Sequence, residues 1–303
     1  MKQKEFALGI DIGGTKIAFA LVDRQGQVEA LYTSPSQSQD AEALFQSVLS
    51  GIHHVLKTSQ RDLSELAGIG IGLPGKVDHE HGVAIFQNNI PWPNFPIVQR
   101  LRDSLAIDCP IAIDNDVKVA AYAEYHAEAM TKDELFTYVT ISTGIANASI
   151  INHQMIRGSG FSGETGFLPI AQGDKIEKLE SIVGGPAIEK DGRLAFNDAS
   201  ISSREVFERY LAGDEKAVII IENCAKSFAL GLYAMICVLD PAHITLGGSV
   251  AYHNPSFVAL IKEHLSKLLH EEQAHILKHL SVSTIGGNNG VIGAGLLAFN
   301  HTI

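Results

Sequence analysis

The sequence predicts an α/β protein of two domains built on one plan, and three features predict it. Near the start, an apolar run from Phe6 to Asp23 is cut by Gly13-Gly14 and then resumes, the pattern of a β-hairpin. The same grammar of strand, hydroxyl-and-glycine turn, and strand returns at Phe136–Gly144 and Ala148–Asn152, roughly 130 residues on. Around these hairpins, short branched strands alternate with stretches that carry apolar residues at helical spacing.

At 303 residues the chain is two domains' worth, long enough to bury large cores without disulfide or metal support. A net charge of −11 with no basic block argues against a nucleic-acid partner, which needs a clustered positive face. Cys109, Cys224 and Cys237 are scattered, and read as buried free thiols of a reducing compartment, not as a disulfide framework or a zinc cluster. The apolar run after Met1-Lys-Gln-Lys-Glu5 is broken by Asp11, so it does not read as a signal peptide. The longest uncharged apolar run, Phe228 to Leu239, is too short to span a bilayer. The expectation is a cytoplasmic protein with no membrane segment.

In the first hairpin, Leu8 to Ile10 and Ile17 to Val22 are strands. The glycines between them let backbone N–H groups approach a ligand, and Thr15 and Lys16 add a hydroxyl and a cation suited to phosphate oxygens. Asp11, at the end of the first strand, is placed to hold a phosphate-bound Mg²⁺ directly or through water. The same residues would also make an ordinary turn capped by Asp11. A third strand spans Val28 to Thr33, and Ala41 to Lys57 is an amphipathic helix with Phe45, Val48, Leu49, Ile52 and Leu56 on one stripe.

The strand Ala67–Gly75 holds a formal G-x-G-x-x-G at Gly70, Gly72 and Gly75, which would suit a dinucleotide-dependent oxidoreductase. It reads instead as a decoy. Pro74-Gly75 leads into the polar turn Lys76–Gly82 and not into a helix, so the small residues are read as allowing close approach of a ligand or a neighbouring strand. Ile85 to Pro96, with Asn88, Asn89 and the lone Trp92, is an irregular loop in which the indole serves as a packing anchor more naturally than as a sugar platform.

Ile97 to Leu105 is helical. The strand Pro110–Asp116 ends in Asp114-Asn115-Asp116, and a helix from Val117 to Ala129 follows. This places carboxylates and an amide at the carboxyl edge of a sheet, where open α/β sheets bind ligands. An N-cap would account for one of the three. Further on, Glu164 lies in the flexible loop Gly158–Gly166 and Glu180 in Lys178–Pro186. Ser202–Ala212 and Glu222–Leu239 are helices, the second apolar nearly all round and so buried. His243–Val250 is a strand with a glycine pair, Phe257–Leu269 is an amphipathic helix, and Gly286–Gly290 opens the final helix. His275 and His279 share one helix-face spacing, but on a polar segment with no third ligand. The domain boundary is expected near Asp116.

Five blocks, in order, resemble the ROK family of sugar kinases. They are Asp11-Ile-Gly-Gly-Thr-Lys16, Gly70-Ile-Gly-Leu-Pro-Gly75, Asn115-Asp116, Ser142-Thr-Gly144 and Leu246-Gly-Gly248. The resemblance implies a two-domain actin-like ATPase (ribonuclease H-like) fold with an interdomain cleft. Its first domain would span residues 1–116, with a C-terminal helix at about 290–303 packing back on it, and a larger second domain would span 117–289. It implies ATP and Mg²⁺ as cofactors, a small sugar as substrate and a homodimer.

It further implies Asp116 as the catalytic base. Gly75, Asn115, Asp116, Glu164, Phe167 and Glu180 would contact the sugar, and Asp11, Gly13, Gly14, Thr15, Lys16, Thr143, Gly144, Gly247 and Gly248 the nucleotide, with Asp11 also on the metal. Two departures stand out. Phe167 replaces a family histidine, and no cysteine lies between Phe167 and Glu180, so no structural zinc site of the family kind is expected there. An apolar ring at 167 would favour a sugar substituted at that end, such as a glycoside. The alternative is a non-catalytic sugar- or nucleotide-binding relative. Family regulators carry an N-terminal helix-turn-helix, for which the ten residues before Asp11 leave no room.

Overall fold

A computed structural model describes residues 4–87, 89–128 and 130–300. Asn88 of the expected loop, Ala129 of an expected helix and the last three residues of the expected C-terminal helix lie outside the described residues. In chain order the elements begin with β1 (Phe6–Ile12), β2 (Lys16–Asp23), β3 (Val28–Pro35), α1 (Ala41–Ser59), β4 (Ile69–Leu73), β5 (Lys76–Asp78), β6 (Val83–Phe86), α2 (Ile97–Leu105), β7 (Ile111–Asn115) and α3 (Asp116–Ala127). They continue with β8 (Phe136–Ile141), β9 (Ile145–Ile151), β10 (Gln154–Met155), β11 (Pro169–Gln172), β12 (Lys175–Lys178), α4 (Glu180–Val183), α5 (Gly185–Phe196), α6 (Ser203–Leu211) and α7 (Glu215–Leu239). The last are β13 (His243–Gly247), α8 (Gly248–His253), α9 (Pro255–Ser266), β14 (Leu280–Val282) and α10 (Asn289–Asn300).

Two compact units of nearly equal size result. One comprises Met1–Met130, Arg157–Ser162 and Gly287–Ile303, the other Thr131–Ile156 and Gly163–Gly286. The boundary therefore falls after residue 130, not at 116, and the second unit is not the larger. The reason is α3, which packs against α10 and β4 of the first unit.

The first unit holds a sheet in the order β3-β2-β1-β4-β7, antiparallel from β3 to β1 and parallel from β1 to β7. Side chains alternate between its faces. Leu8, Ile10, Ile12, Ile17, Phe19, Leu21, Ile69 and Ile71 join Phe45, Val48 and Ile52 of α1 in one large core. Asp40 starts that helix, its Oδ1 accepting from the Ala43 N–H at 2.7 Å. Trp92 is fully buried in the same core, stacks on Phe95 and donates from Nε1 to Ala41 O at 3.0 Å. The packing-anchor reading of the indole is therefore the one observed.

The opposite face is built from small residues, among them Ala18 and Ala20, Ala112 and the glycines at 9 and 70. A Cβ at Gly9 would lie 2.0 Å from Val291 O, and one at Gly70 would lie 1.7 Å from Ala294 O. Thus α10 lies on β1 and β4 at backbone distance. Gly70 and Gly72 of the apparent dinucleotide fingerprint are one face of a strand read at period two, admitting the helices α10 and α3, while Gly75 lies beyond β4 and is approached by Phe86 of β6. Gly75 is followed by the β5–β6 hairpin where a polar turn and loop were expected.

The second unit repeats the plan. Its sheet runs β10-β9-β8-β13-β14, with antiparallel pairs from β10 to β8 and parallel pairs from β8 to β14. The helix α7 begins at Glu215, earlier than expected, and is capped by Asp214. By length and composition it is long and apolar enough to cross a membrane. Its inner face, including Ile221, Phe228 and Leu232, sits in the core of this unit, while Ile219, Cys237 and Val238 are exposed, so it is not buried all round. Of the cysteines only Cys224 is buried. The expected strand His243–Val250 stops at Gly247, where Gly248 adopts φ +80° and α8 begins. The β11–β12 hairpin and α5 carried no recognised signal.

The packing of α10 makes a direct prediction. Gly70→Ala should destabilise the protein by about 1–3 kcal/mol or more, since the helix must move off the strand to admit a methyl group. Urea denaturation measures this, and a change near zero would show that the helix contact is loose.

Candidate functional site

In the first unit the site residues gather at the carboxyl end of the sheet. The β1–β2 turn closes with a hydrogen bond from the Gly13 N–H to Lys16 O at 3.0 Å, leaving Gly14 and Thr15 at the tip. Gly14 lies against Asn89, whose Cβ a methyl there would meet at 2.9 Å. Asp11 emerges on the small-residue face, and Gly72 is its neighbour on β4. A Cβ on Gly72 would stand 3.5 Å from Asp11 Oδ1 and 3.8 Å from Asp116 Cα, and one on Gly290 would stand 2.5 Å from Asp11 Oδ2. The carboxylate is therefore bordered by the backbone of Gly72 and Gly290, with Asp11 half-buried.

That setting governs its acidity. Burial, with the negative charge of Asp116 adding to it and Lys16 opposing it, raises the Asp11 pKa to about 7.

The three polar residues ending β7 separate into three roles. Asn115 is the N-cap of α3, its Oδ1 accepting from the N–H groups of Val117 at 3.0 Å and Lys118 at 3.3 Å, while its Nδ2 donates to Gly75 O at 3.0 Å. Gly75 sits at φ +75°, and a Cβ there would strike Phe86 O at 2.2 Å. Asp114, 4% exposed, is paired with Arg157, whose Nε and Nη2 donate to Oδ2 at 3.1 and 2.6 Å. Asp116 opens the helix, and its negative charge acts on Asp11. Capping and ion pairing thus account for Asn115 and Asp114, while Asp116 Oδ1 accepts from the Val117 N–H at 2.9 Å.

In the second unit the remaining residues converge at the corresponding sheet end. The turn Ser142-Thr143-Gly144 is tied by the Ser142 N–H to Gly144 O at 3.0 Å, and Ser142 O accepts from the Gly185 N–H at 2.7 Å. Glu180 opens α4, and a Cβ on Gly144 or Gly166 would lie 3.2 or 2.8 Å from its Oε2. Gly247 and Gly248 pack on the end of β8, where a Cβ would meet Tyr138 Oη at 2.1 Å and Ile141 O at 2.3 Å respectively. The loop bearing Glu164 is pinned to β9 by the Asn147 N–H donating to Gly163 O at 2.7 Å, with Gly163 at φ +100°. Glu164 is exposed. So is Phe167, at 48%, with Lys178 Nζ 4.1 Å from its ring centre.

Each unit therefore brings together its own share of the predicted residues: Asp11, Gly13–Lys16, Gly75, Asn115 and Asp116 in the first, and Thr143, Gly144, Glu164, Phe167, Glu180, Gly247 and Gly248 in the second. Sequence reasoning missed Arg157, Asn89 and the Gly184-Gly185 corner. Arg157 and Asn89 carry no local signal, since each acts on a partner far away in the chain. Among the described residues no three His, Cys, Asp or Glu side chains converge as a metal cluster, His275 and His279 included.

The raised pKa of Asp11 makes apo stability depend on pH. A carboxyl whose folded pKa exceeds its unfolded value stabilises the fold most below about 4, and that contribution falls as pH rises to about 7. Asp11→Asn should therefore raise the melting temperature more at pH 8 than at pH 5. Equal shifts at both would place the ionised carboxylate in a solvated setting.

A sequence model described as the ROK family matches residues 7–301. A glucokinase of Halalkalibacterium halodurans is 25% identical, covering 96% of this chain and 94% of its own length. An N-acetylmannosamine kinase of Haemophilus influenzae is 28% identical, over 95% of this chain and 93% of its own length. Among solved structures, the ROK hexokinase of Thermus thermophilus superposes with a TM-score of 0.83 at 28% identity over 98% of each chain. The two sheets of shared strand order are those of the actin-like ATPase fold.

Proposed function

The chain belongs to the ROK family, and on that premise we propose that it is an ATP-dependent sugar kinase transferring the γ-phosphoryl group to a hydroxyl of a hexose, N-acetylhexosamine or glucoside. The observation that carries the reading is the Asp11–Asp116 pair at one sheet edge, beside a glycine turn that offers backbone N–H groups, a hydroxyl and an ammonium. Phosphoryl transfer asks mainly for positioning and charge neutralisation.

In this proposal Asp116 accepts the proton of the attacking hydroxyl. Gly75, Asn115, Glu164, Phe167 and Glu180 hold and orient the sugar. Gly13, Gly14, Thr15, Lys16, Thr143 and Gly144 hold the phosphates, and Gly247 and Gly248 the nucleoside. Two carboxyls acting on each other by charge, one of them with its pKa pushed up, fit a divalent cation, since its charge would relieve both burial and repulsion. Asp11 is the residue that would hold Mg²⁺, directly or through water. The ion, when bound, supplies charge neutralisation at the phosphate oxygens.

Asp116→Asn should lower turnover by about 10²–10⁴-fold while leaving sugar binding nearly intact. A coupled ADP-release assay over hexoses, N-acetylhexosamines and β-glucosides, paired with calorimetric sugar titration, reads both quantities. Parallel loss of turnover and binding would make Asp116 structural, and wild type that binds sugar without releasing ADP would favour the non-catalytic relative.

The exposed ring of Phe167 is read as favouring a sugar substituted at the end it faces. Phe167→His should shift the kcat/KM ratio from glycosides toward free hexoses, and an unchanged ratio would remove the ring from the specificity determinants.

A further inference from the structure

The buried carboxylate at the end of β7 is used from two sides. Arg157 donates from Nε at 3.1 Å and from Nη2 at 2.6 Å to Asp114 Oδ2, while Asp114 Oδ1 accepts from the N–H of Asn115 at 2.9 Å. We propose that Arg157 is a positioning residue for the phosphoryl transfer: through Asp114 it fixes the Asn115 peptide, and with it the sugar contact at 115 and the base at 116. The inference rests on the kinase reading and adds to it a residue that acts through another.

Asp114 is only 4% exposed, and a carboxylate taken out of water needs strong, well-aimed donors. The guanidinium supplies two of them in one rigid plane, which sets the direction of the carboxylate more tightly than a single ammonium would. Both oxygens are then engaged. Turning the side chain to release the Asn115 N–H would also break its contacts with Arg157, so the peptide between 114 and 115 is held by an ion pair on its far side.

Much of the site is referred to that peptide. Asn115 Oδ1 accepts from the N–H groups of Val117 and Lys118, and its Nδ2 donates to Gly75 O at 3.0 Å. An amide nitrogen carries two hydrogens, so Asn115 meets a sugar as a donor, in a direction set by these bonds. Asp116 Oδ1 takes the same Val117 N–H at 2.9 Å. A rotation at 114–115 would therefore shift the helix cap, the link to Gly75 and the base together. A displacement of about 1 Å at reacting groups costs up to about 10²-fold in rate.

The chain goes out of its way to deliver Arg157. The excursion Arg157–Ser162 belongs to the first unit, although the chain on either side of it belongs to the second. It turns back on itself through the Gly160 N–H, which donates to Arg157 O at 3.0 Å, with Gly160 at φ +105°. Beyond that turn, the ring of Phe161 lies 5.6 Å from Lys76 Nζ at the start of β5. The segment is thus fastened to the first unit at both of its ends, and one of those fastenings is the guanidinium on Asp114.

The ADP-release assay with glucose, N-acetylmannosamine and methyl β-glucoside tests this by comparing sugar and nucleotide constants. For the best of the three sugars, Arg157→Met should raise KM about ten-fold and lower kcat about ten-fold or more, with the KM of ATP within about two-fold of wild type. KM does not depend on the fraction of molecules that are folded, so loss of structure alone leaves it in place. Arg157→Met strands a buried carboxylate, so the second variant is Asp114→Leu/Arg157→Met, which replaces the pair by apolar side chains of similar combined volume and keeps the fold. It should show the same raised sugar KM. A sugar KM at the wild-type value in either folded variant, or an ATP KM that rises in step with it, would overturn the role. Hydrogen exchange reads the pin without any sugar. The Asn115 N–H should exchange about ten-fold faster in the variants, while the Ile71 N–H, in the central strand β4, keeps its rate. Should wild type turn over none of the sugars, the kinase reading fails by itself and this exchange decides whether Arg157 fixes the peptide: unchanged exchange at Asn115 would overturn it.

Discussion

The bare face of the first sheet is the constraint on which the rest depends. Because Gly9 of β1 and Gly70 of β4 face α10, with Ala7 the small neighbour of Ala298, the helix backbone settles onto the strands themselves. A Cβ at 9 or 70 would stand 2.0 or 1.7 Å from a carbonyl oxygen of α10, so either side chain would push the helix off the strands. The same face carries Asp11 at its carboxyl end, so the packing that seats α10 also brings Gly290 onto the carboxylate. Stability and site chemistry are coupled through one strip of missing side chains.

From that strip the functional arrangement follows. A half-buried carboxylate under the negative charge of a second acid is disfavoured as a bare anion, which is the condition that makes a cation welcome. The turn next to it is stripped to glycines, a hydroxyl and an ammonium. The second sheet, with the same strand order and senses, ends in a turn of like chemistry at Ser142–Gly144, backed by the Gly184-Gly185 corner. A β-hairpin that ends in a small polar turn is thus used twice, and each time the strands paired in parallel beside it supply the acids or glycines that complete the unit's share of the site.

Much of this was legible in the sequence because it is local. Hairpin turns, the Asp-Asn-Asp at the end of a strand, and the amphipathic stripe of α1 are each written within a few residues. The glycines of β4 were legible as small residues, but not their purpose: the spacing of two that marks one strand face coincides with the spacing of a nucleotide fingerprint, and only the return of α10 from the far end of the chain tells them apart. The domain boundary failed for a related reason. Nothing near Asp116 reveals that the helix after it packs on residues beyond 289. Arg157 was invisible because an ion pair across 43 positions leaves no trace in composition or period. Conversely, Asp116 was singled out by the family resemblance of Asn115-Asp116, whereas local chemistry said only that a cap explains one of the three polar residues; the structure assigns that cap to Asn115 and the ion pair to Asp114.

The central claim, that the acid at the start of α3 directs a phosphoryl group onto an alcohol, is tested most directly by following the group itself. With ATP labelled in the γ-phosphoryl position, the account predicts that label recovered in sugar phosphate equals the ADP formed, mole for mole, in the presence of Mg²⁺. ADP accompanied by label in free phosphate alone, whatever sugar is supplied, would contradict it.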